Sequence, residues 1–218
     1  MNNLQRIGGI AAMVEATTFV VGFALLMTTL GPLSNGELDA AAQVSFLAEH
    51  ATITYAWNLI IYVVFGVFLA VLARALHERL KSGAPALMQV ATALGLIWAG
   101  LVIASGMVAN VGAAAVIDLA GTDPARAGTV WLAVDTVVNG LGGGNEIVGG
   151  LWVVLLSVAA LRSGALPKAL SYLGLVAGSA GVITLAPPLT DVGAVFGLGL
   201  IVWFVWLGIV LLRRGNQA

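Results

Sequence analysis

Apolar residues fill six long stretches of the chain, and polar residues collect between them. The stretches cover residues 7–27, 53–73, 87–109, 141–161, 169–186 and 192–212. A helix needs about 20 mostly apolar residues to cross the hydrocarbon core of a bilayer, and each stretch comes close to that length. All six prolines fall in the connections, where a proline does not interrupt a helix. The pattern therefore predicts six membrane-spanning helices.

Two of the connections predict helices of their own. Beyond the third stretch the chain stays mostly apolar, and Asp123 with Pro124 then offers an N-cap and a first helical position for a returning helix. A helical hairpin is thus expected between spans three and four, with a kink in the glycine-rich residues 140–144. Between spans one and two, Ser34 and Glu37 have the spacing of a capping box, which predicts a short helix.

The composition excludes most classes other than membrane proteins. Hydrophobic residues make up 60% of the 218 positions and charged residues only 9%, against about 25% charged in ordinary soluble domains. Both a soluble globule and a disordered chain are excluded, so the expected partner is the lipid bilayer. The net charge of −1 gives no reason to expect a nucleic-acid partner.

Neither a metal site nor a catalytic site is predicted. Cysteine is absent, and the only two histidines, His50 and His77, fall on opposite sides of the predicted membrane. They cannot share a metal or a haem, and no hydrolase or nucleotide-binding motif occurs in the spans. We therefore expect no cofactor, no metal and no enzymatic activity.

The basic residues predict the orientation. Eight of the nine lysines and arginines fall at one side of the predicted spans, and only Arg126 falls at the other. By the positive-inside rule both termini are cytoplasmic and the hairpin is extracytoplasmic. The predicted fold class is all-α, a polytopic transmembrane bundle of six spans in one domain covering residues 1–218, located in the cell membrane.

Two acidic residues lie inside predicted spans, and such residues are the first candidates for function. Glu15 falls in the first span and Glu146 in the fourth. A charge at the bilayer centre costs about 2.5–3.5 kcal/mol or more, and neither span offers a lysine or arginine at that depth. Each glutamate is interpreted either as a proton or cation site or as a neutral carboxyl that bonds to a neighbouring helix.

Further polar residues are expected close to Glu146. Asp135 and Asn139 precede it at helical spacing and predict one polar stripe, which Asn145 adjoins. Asn58 is expected at a similar outer depth on the second span. These residues predict an outward-facing polar cup that binds or conducts a small ligand. Alternatively, Asp135 and Asn139 are solvated in the hairpin, and nearby tryptophans are either walls of the cup or anchors at the membrane interface.

A second functional class remains open. Small residues recur at spacings of four in spans five and six, as in Gly174 with Gly178 and Gly193 with Gly197. This spacing is typical of closely packed membrane helices. The chain could therefore be a non-transporting subunit or scaffold that packs against another membrane protein or against a second copy of itself.

Two segments carry a resemblance to a known family. The N-terminal segment reads RIGGIAAM, and residues 149–183 read GGLWVVLLSVAALRSGALPKALSYLGLVAGSAGVI, with a Ser-Gly-x-Leu-Pro-Lys turn between two apolar helices. The chain resembles the bacterial six-span membrane proteins grouped as domain of unknown function 4386. The resemblance implies the architecture and a bacterial plasma membrane, and it supplies no catalytic residue.

Overall fold

The computed structural model describes residues 3–33, 35–143 and 146–214. Over these residues the chain forms α-helices and no strand, which confirms the predicted all-helical class. The helices are α1 Asn3–Met27, α2 Ala40–Glu49, α3 Ala51–Asn58, α4 Phe65–Leu80, α5 Pro85–Ala120, α6 Pro124–Val138, α7 Ile147–Ser163, α8 Lys168–Ile183 and α9 Gly193–Arg214.

The described helices include five that are long and apolar enough to cross a membrane. They are Asn3–Met27, Ala51–Leu80, Pro85–Ala120, Pro124–Ser163 and Gly193–Arg213. Helix α8, where the sequence predicts the fifth of six spans, has 16 residues and is about 24 Å long, which is shorter than the ~30 Å hydrocarbon core. The chain is a multi-pass helical membrane protein.

Six of the helices close into a ring. Helix α1 packs on α4, α4 on α5, α5 on α7, α7 on α8, α8 on α9, and α9 returns to α1. The order of the helices around the ring is also their order along the chain, as short connections between helices favour. Large side chains fill the middle of the ring, where the fully buried ones include Trp152, Trp203, Phe196 and Phe204.

The predicted hairpin is present as the pair α5 and α6. Helix α5 has 36 residues, so at 1.5 Å per residue it is about 54 Å long and exceeds the bilayer core by nearly 24 Å. Helix α6 begins at Pro124, and the side chain of Asp123 accepts a hydrogen bond from the backbone N–H of Arg126 at 3.1 Å. The predicted N-cap and first helical position are therefore confirmed.

Helix α2 packs against this hairpin and forms a second, smaller apolar cluster. Val44 and Leu47 are buried there against side chains of α5 and α6. The helix begins later than predicted, because Asp39 is its N-cap and accepts a hydrogen bond from Ala42 N at 2.8 Å. The capping box that the sequence predicts is therefore wrong in its position; its first member, Ser34, lies outside the described residues.

One end of the bundle collects the chain's basic residues. Gln5 Nε2 donates to the carbonyl of Ala75 at 2.9 Å, and Arg79 Nη2 donates to the carbonyl of Ala165 at 3.2 Å. These bonds bring together the start of α1, the end of α4 and the turn between α7 and α8. The basic residues near this end include Arg6, Arg74, Arg79, Lys81, Arg162, Lys168 and Arg213.

Candidate functional site

Two long helices of the bundle each contain an irregular segment, the first π-helical and the second a kink. One covers Leu59–Val64, between α3 and α4, and the other covers Asn139–Gly143, between α6 and α7. Single π turns are frequent at functional sites. The first segment leaves its helix continuous. The second contains Gly142 at φ 147° and ψ 13°, a conformation that requires glycine, and the helix breaks there. The kink predicted at residues 140–144 is confirmed at Gly142.

A cavity of ≈ 210 Å³ lies between these two segments. Both contribute to its wall, Ile61 and Tyr62 from the first and Gly142 from the second, together with residues of α1 and α5. Six of the thirteen described residues that line the cavity are aromatic. The aromatic residues that line the cavity are Phe19, Phe23, Trp57, Tyr62, Phe65 and Trp98.

Contacts between helices hold these rings in place. Trp57 Nε1 donates to the carbonyl of Gly22 on α1 at 3.2 Å. The ring of Phe65 packs edge-on against Phe19 at a centroid distance of 5.5 Å and against Trp98 at 5.2 Å. Edge-to-face pairs at such distances are favourable, so the aromatic wall is one connected assembly built from α1, α4 and α5.

Glu146 is the carboxylic acid of the cavity wall and lies at the break between α6 and α7. It directly precedes Ile147, the first residue of α7. Its backbone N–H donates to Thr184 Oγ1 at 3.1 Å, and that hydroxyl donates to the carbonyl of Gly181 at 2.7 Å. The break is thereby tied to the end of α8. A carboxylate here also lies at a helix N-terminus, where negative charge is favoured.

Asn58, Asp135 and Asn139, which the sequence places around Glu146, are not among the residues that line the cavity. Asn58 is buried and donates to Asn110 Oδ1 at 2.9 Å. Asn139 Nδ2 donates to Asp135 Oδ2 at 2.9 Å, which leaves both side chains in the hairpin. The expected continuous stripe is wrong, because Gly142 leaves the helical conformation and turns Glu146 away from the helical register of α6.

Two further predictions concern Asn145 and the tryptophans. Asn145 lies outside the described residues. Trp57 lines the cavity, but Trp131 and Trp152 are buried in the two apolar clusters, so neither is an interface anchor. Trp152 is 0% exposed, whereas Trp131 donates from Nε1 to Gln43 Oε1 at 2.9 Å.

Glu15 lies close to the cavity without lining it. Its side chain is 0% exposed, and neither carboxyl oxygen has a hydrogen-bond partner among the described residues. Thr18, three residues further along α1, does line the cavity, and its hydroxyl donates to the backbone carbonyl of Glu15 at 2.8 Å. The two acids selected from the sequence therefore occupy different environments, one in the wall of the cavity and one a helical turn away from it.

The comparison with protein families assigns the chain. A family model described as a domain of unknown function, DUF4386, matches residues 7–215. The chain belongs to this family. The predicted resemblance is thereby confirmed over nearly the whole DUF4386 chain, and the match includes every residue of the cavity wall. No curated protein and no solved structure matches the chain significantly.

The aromatic wall of this DUF4386 protein could not be predicted as a unit from the sequence. Phe19 and Phe23, or Tyr62 and Phe65, recur at helical spacing, which is equally typical of ordinary core or lipid-facing positions. One signal is usable in retrospect. Each of these aromatic pairs lies within about one turn of a polar residue that interrupts the apolar pattern, Thr18 for the first pair and Asn58 for the second.

Proposed function

We propose that this DUF4386 protein is a six-span membrane protein that binds a small cationic ligand with an apolar body in its cavity and passes it across the membrane. The supporting observation is the composition of the wall, one carboxyl group at a helix break facing a connected set of aromatic rings. In transporters, broken membrane helices commonly form substrate sites near the middle of the fold. The proposed role is binding and transport, without catalysis.

The chemistry of the wall selects the ligand class. Aromatic faces attract cations and bury apolar groups, and a carboxylate adds a charge-assisted hydrogen bond to an ammonium group. The cavity of ≈ 210 Å³ is smaller than typical sites for drug-sized ligands, which begin at about 300 Å³. A small aryl-alkyl amine fits these requirements.

Phenethylamine is a suitable probe, with 2-phenylethanol as its uncharged counterpart. We expect phenethylamine to raise the melting temperature of the purified protein and 2-phenylethanol to raise it less. In Glu146→Gln, which keeps the shape of the side chain, the loss of a charge-assisted bond worth about 1.5–3 kcal/mol should weaken binding roughly 10- to 100-fold. Isothermal titration calorimetry on protein in lipid nanodiscs gives the dissociation constants.

Glu49→Gln is the matched control, because it makes the same glutamate-to-glutamine change at an exposed position of α2 outside the cavity wall. It should bind phenethylamine like the wild type. Equal losses in the two variants would mean that overall charge, not the cavity, attracts the amine. If phenethylamine and 2-phenylethanol bound equally well to wild-type protein, the proposed ligand class would be wrong.

We also propose the full topology, six spans with cytoplasmic termini and an extracytoplasmic hairpin, in a bacterial plasma membrane. The clustering of basic residues at one end of the bundle supports this orientation. Helix α8 is proposed as a further span, in addition to the five long helices, because it packs between α7 and α9 in the ring. A span shorter than the bilayer core is accommodated by local thinning.

Reporter fusions test this topology. Ser163 ends α7 at the basic end, and Thr122 lies in the turn between α5 and α6. A fusion of green fluorescent protein at Ser163 should fluoresce and one of alkaline phosphatase there should be inactive, with the reverse result at Thr122. The same compartment for both sites would contradict the proposed topology.

The glycine-rich helix faces give little support to the alternative that the chain is a scaffold for another membrane protein. This alternative relies on glycine-rich faces free to meet a partner, but those of α8 already face other helices of the ring. Gly178 lies against Gly150 of α7, and Gly181 lies against Phe196 of α9. These small residues bring helices of the same chain together, so they give no specific support for a partner protein.

A further inference from the structure

Glu15 is fully buried in the middle of α1. It is the thirteenth of the 25 residues of α1, about 18 Å from either end of that helix. On the faces that α1 turns to α4, Gly8 lies against Ala75 and Gly22 lies against Ile61. Glu15 is midway between these contacts, which places it level with Phe68 and near the middle of the bilayer core.

No ionisable side chain faces Glu15 at this level in the elements packed against α1. Between Tyr62 and Arg74, the π segment and α4 contain only apolar residues and glycine, and α9 contains none that ionise between Gly193 and Leu212. Tyr62 lies in the cavity wall, and Arg74 is about six residues, or 9 Å of helix, beyond Phe68. Within the described residues, Glu15 therefore has no counter-charge.

The cavity approaches this buried carboxyl group to within one helical turn. Thr18 lines the cavity and lies three residues, about 4.5 Å along the axis, from Glu15 on the same buried face of α1. The Thr18 hydroxyl is bonded to the backbone carbonyl of Glu15, so the two residues are locally linked. Water in the cavity would be the nearest polar medium to the Glu15 carboxyl group.

A metal ion does not fit this position. The described residues contain no group of three histidine, cysteine, aspartate or glutamate side chains that could hold one. Ca²⁺ and Mg²⁺ take at least six oxygen ligands, whereas the buried residues within four positions of Glu15 on α1 are Ala11, Ala12, Ala16 and Thr18, of which only Thr18 has a side-chain oxygen. A proton needs only one carboxylate oxygen and no further ligand.

We propose that Glu15 is a proton-binding site that exchanges its proton with the cavity. In this exchange a carboxylate oxygen of Glu15 takes a proton from cavity water and later returns it to that water. A cation bound beside Glu146 would favour the charged form of Glu15 through its electric field. Ligand binding should then release a proton, a coupling that rests on the proposed function, whereas the exchange itself does not.

Infrared spectroscopy of the protein in lipid vesicles tests the exchange directly. A protonated carboxyl group has a C=O stretching band separate from the amide bands. We expect a band that is lost in Glu15→Gln, kept in Glu146→Gln, shifted in D₂O and weakened as the pH is raised. Glu15→Asp should move the band, which assigns it even if the glutamine variant fails to fold.

Two results would overturn the proposal. One is the absence of any band that depends on residue 15, and the other is such a band that neither shifts in D₂O nor changes with pH, as expected for an isolated structural carboxyl group. The coupling has its own readout, the release of protons into weakly buffered solution when phenethylamine is added, compared between wild type and Glu15→Gln because Glu146 can also release a proton. If the amine binds and both proteins release the same number of protons, the coupling is wrong. If the amine does not bind, the proposed function is wrong, and the infrared band still tests the proton exchange of Glu15.

Discussion

Replacing Gly150 by alanine should destabilise the bundle by about 1–3 kcal/mol, and more if the backbone cannot adjust. A Cβ atom at this position would lie 2.5 Å from the carbonyl oxygen of Gly178 and 2.7 Å from the backbone nitrogen of Val182. Both atoms belong to the backbone of α8 and cannot rotate away. The methyl group would therefore push α7 and α8 apart along the closest helix contact of the ring.

The measurement is unfolding in increasing sodium dodecyl sulphate, followed by circular dichroism on protein purified in a mild detergent. Gly100→Ala is the control, because a Cβ there would have no neighbour within 4 Å. That variant should be as stable as the wild type. Gly150→Ala with the stability of Gly100→Ala would mean that α7 and α8 are not in close contact.

Gly178→Ala offers an internal check on the same contact. Its Cβ would lie 2.8 Å from the carbonyl oxygen of Gly150, so this substitution separates the same two helices. Once the helices are apart, the second methyl group has little left to displace. The double variant should therefore lose less stability than the two single variants added together, since the effects of substitutions in contact are not additive.

The helical class and the start of α6 were predictable because they depend on local chemistry. An apolar stretch of span length has few alternatives to a membrane helix, and Pro124 can occupy a helix only in its first turn. The kink was predictable for the same reason, since a run of glycines carries no side chain that resists a break. The length of α8 was less predictable, because the apolar pattern continues to Ala186 while the helix ends at Ile183.

The composition of the candidate site was only partly predictable. Glu146 and Glu15 could be selected because an acid within an apolar stretch is costly wherever the helices lie. The aromatic wall could not, because Phe19, Phe65 and Trp98 meet only after three helices have packed side by side. Asn58 was misplaced for a related reason. Its amide finds a partner on α5, Asn110, whose orientation the sequence does not reveal.

The centre of the ring stabilises the fold by packing, and Trp152 is the side chain whose removal should affect that packing most. This side chain is 0% exposed, packs against Trp98 and Trp203 at centroid distances of 5.7 and 6.1 Å, and lies on Gly95. Membrane lipid is as apolar as the protein core, so transfer of the indole from lipid into the core contributes little free energy through the hydrophobic effect. Close packing stabilises the indole, and these contacts are lost when its removal leaves an empty space.

Trp152→Ala should therefore lower the free energy of unfolding by about 3–5 kcal/mol, the range for large aromatic side chains removed from packed cores. Trp206→Ala, on α9 but 36% exposed, is the matched control and should lose far less. The indole Nε1 of Trp152 has no hydrogen-bond partner among the described residues, so Trp152→Phe loses volume alone and should fall between the two. Unfolding is followed by circular dichroism, which does not depend on the tryptophans being replaced. If Trp152→Ala were no less stable than Trp206→Ala, the interior of the ring would not be closely packed.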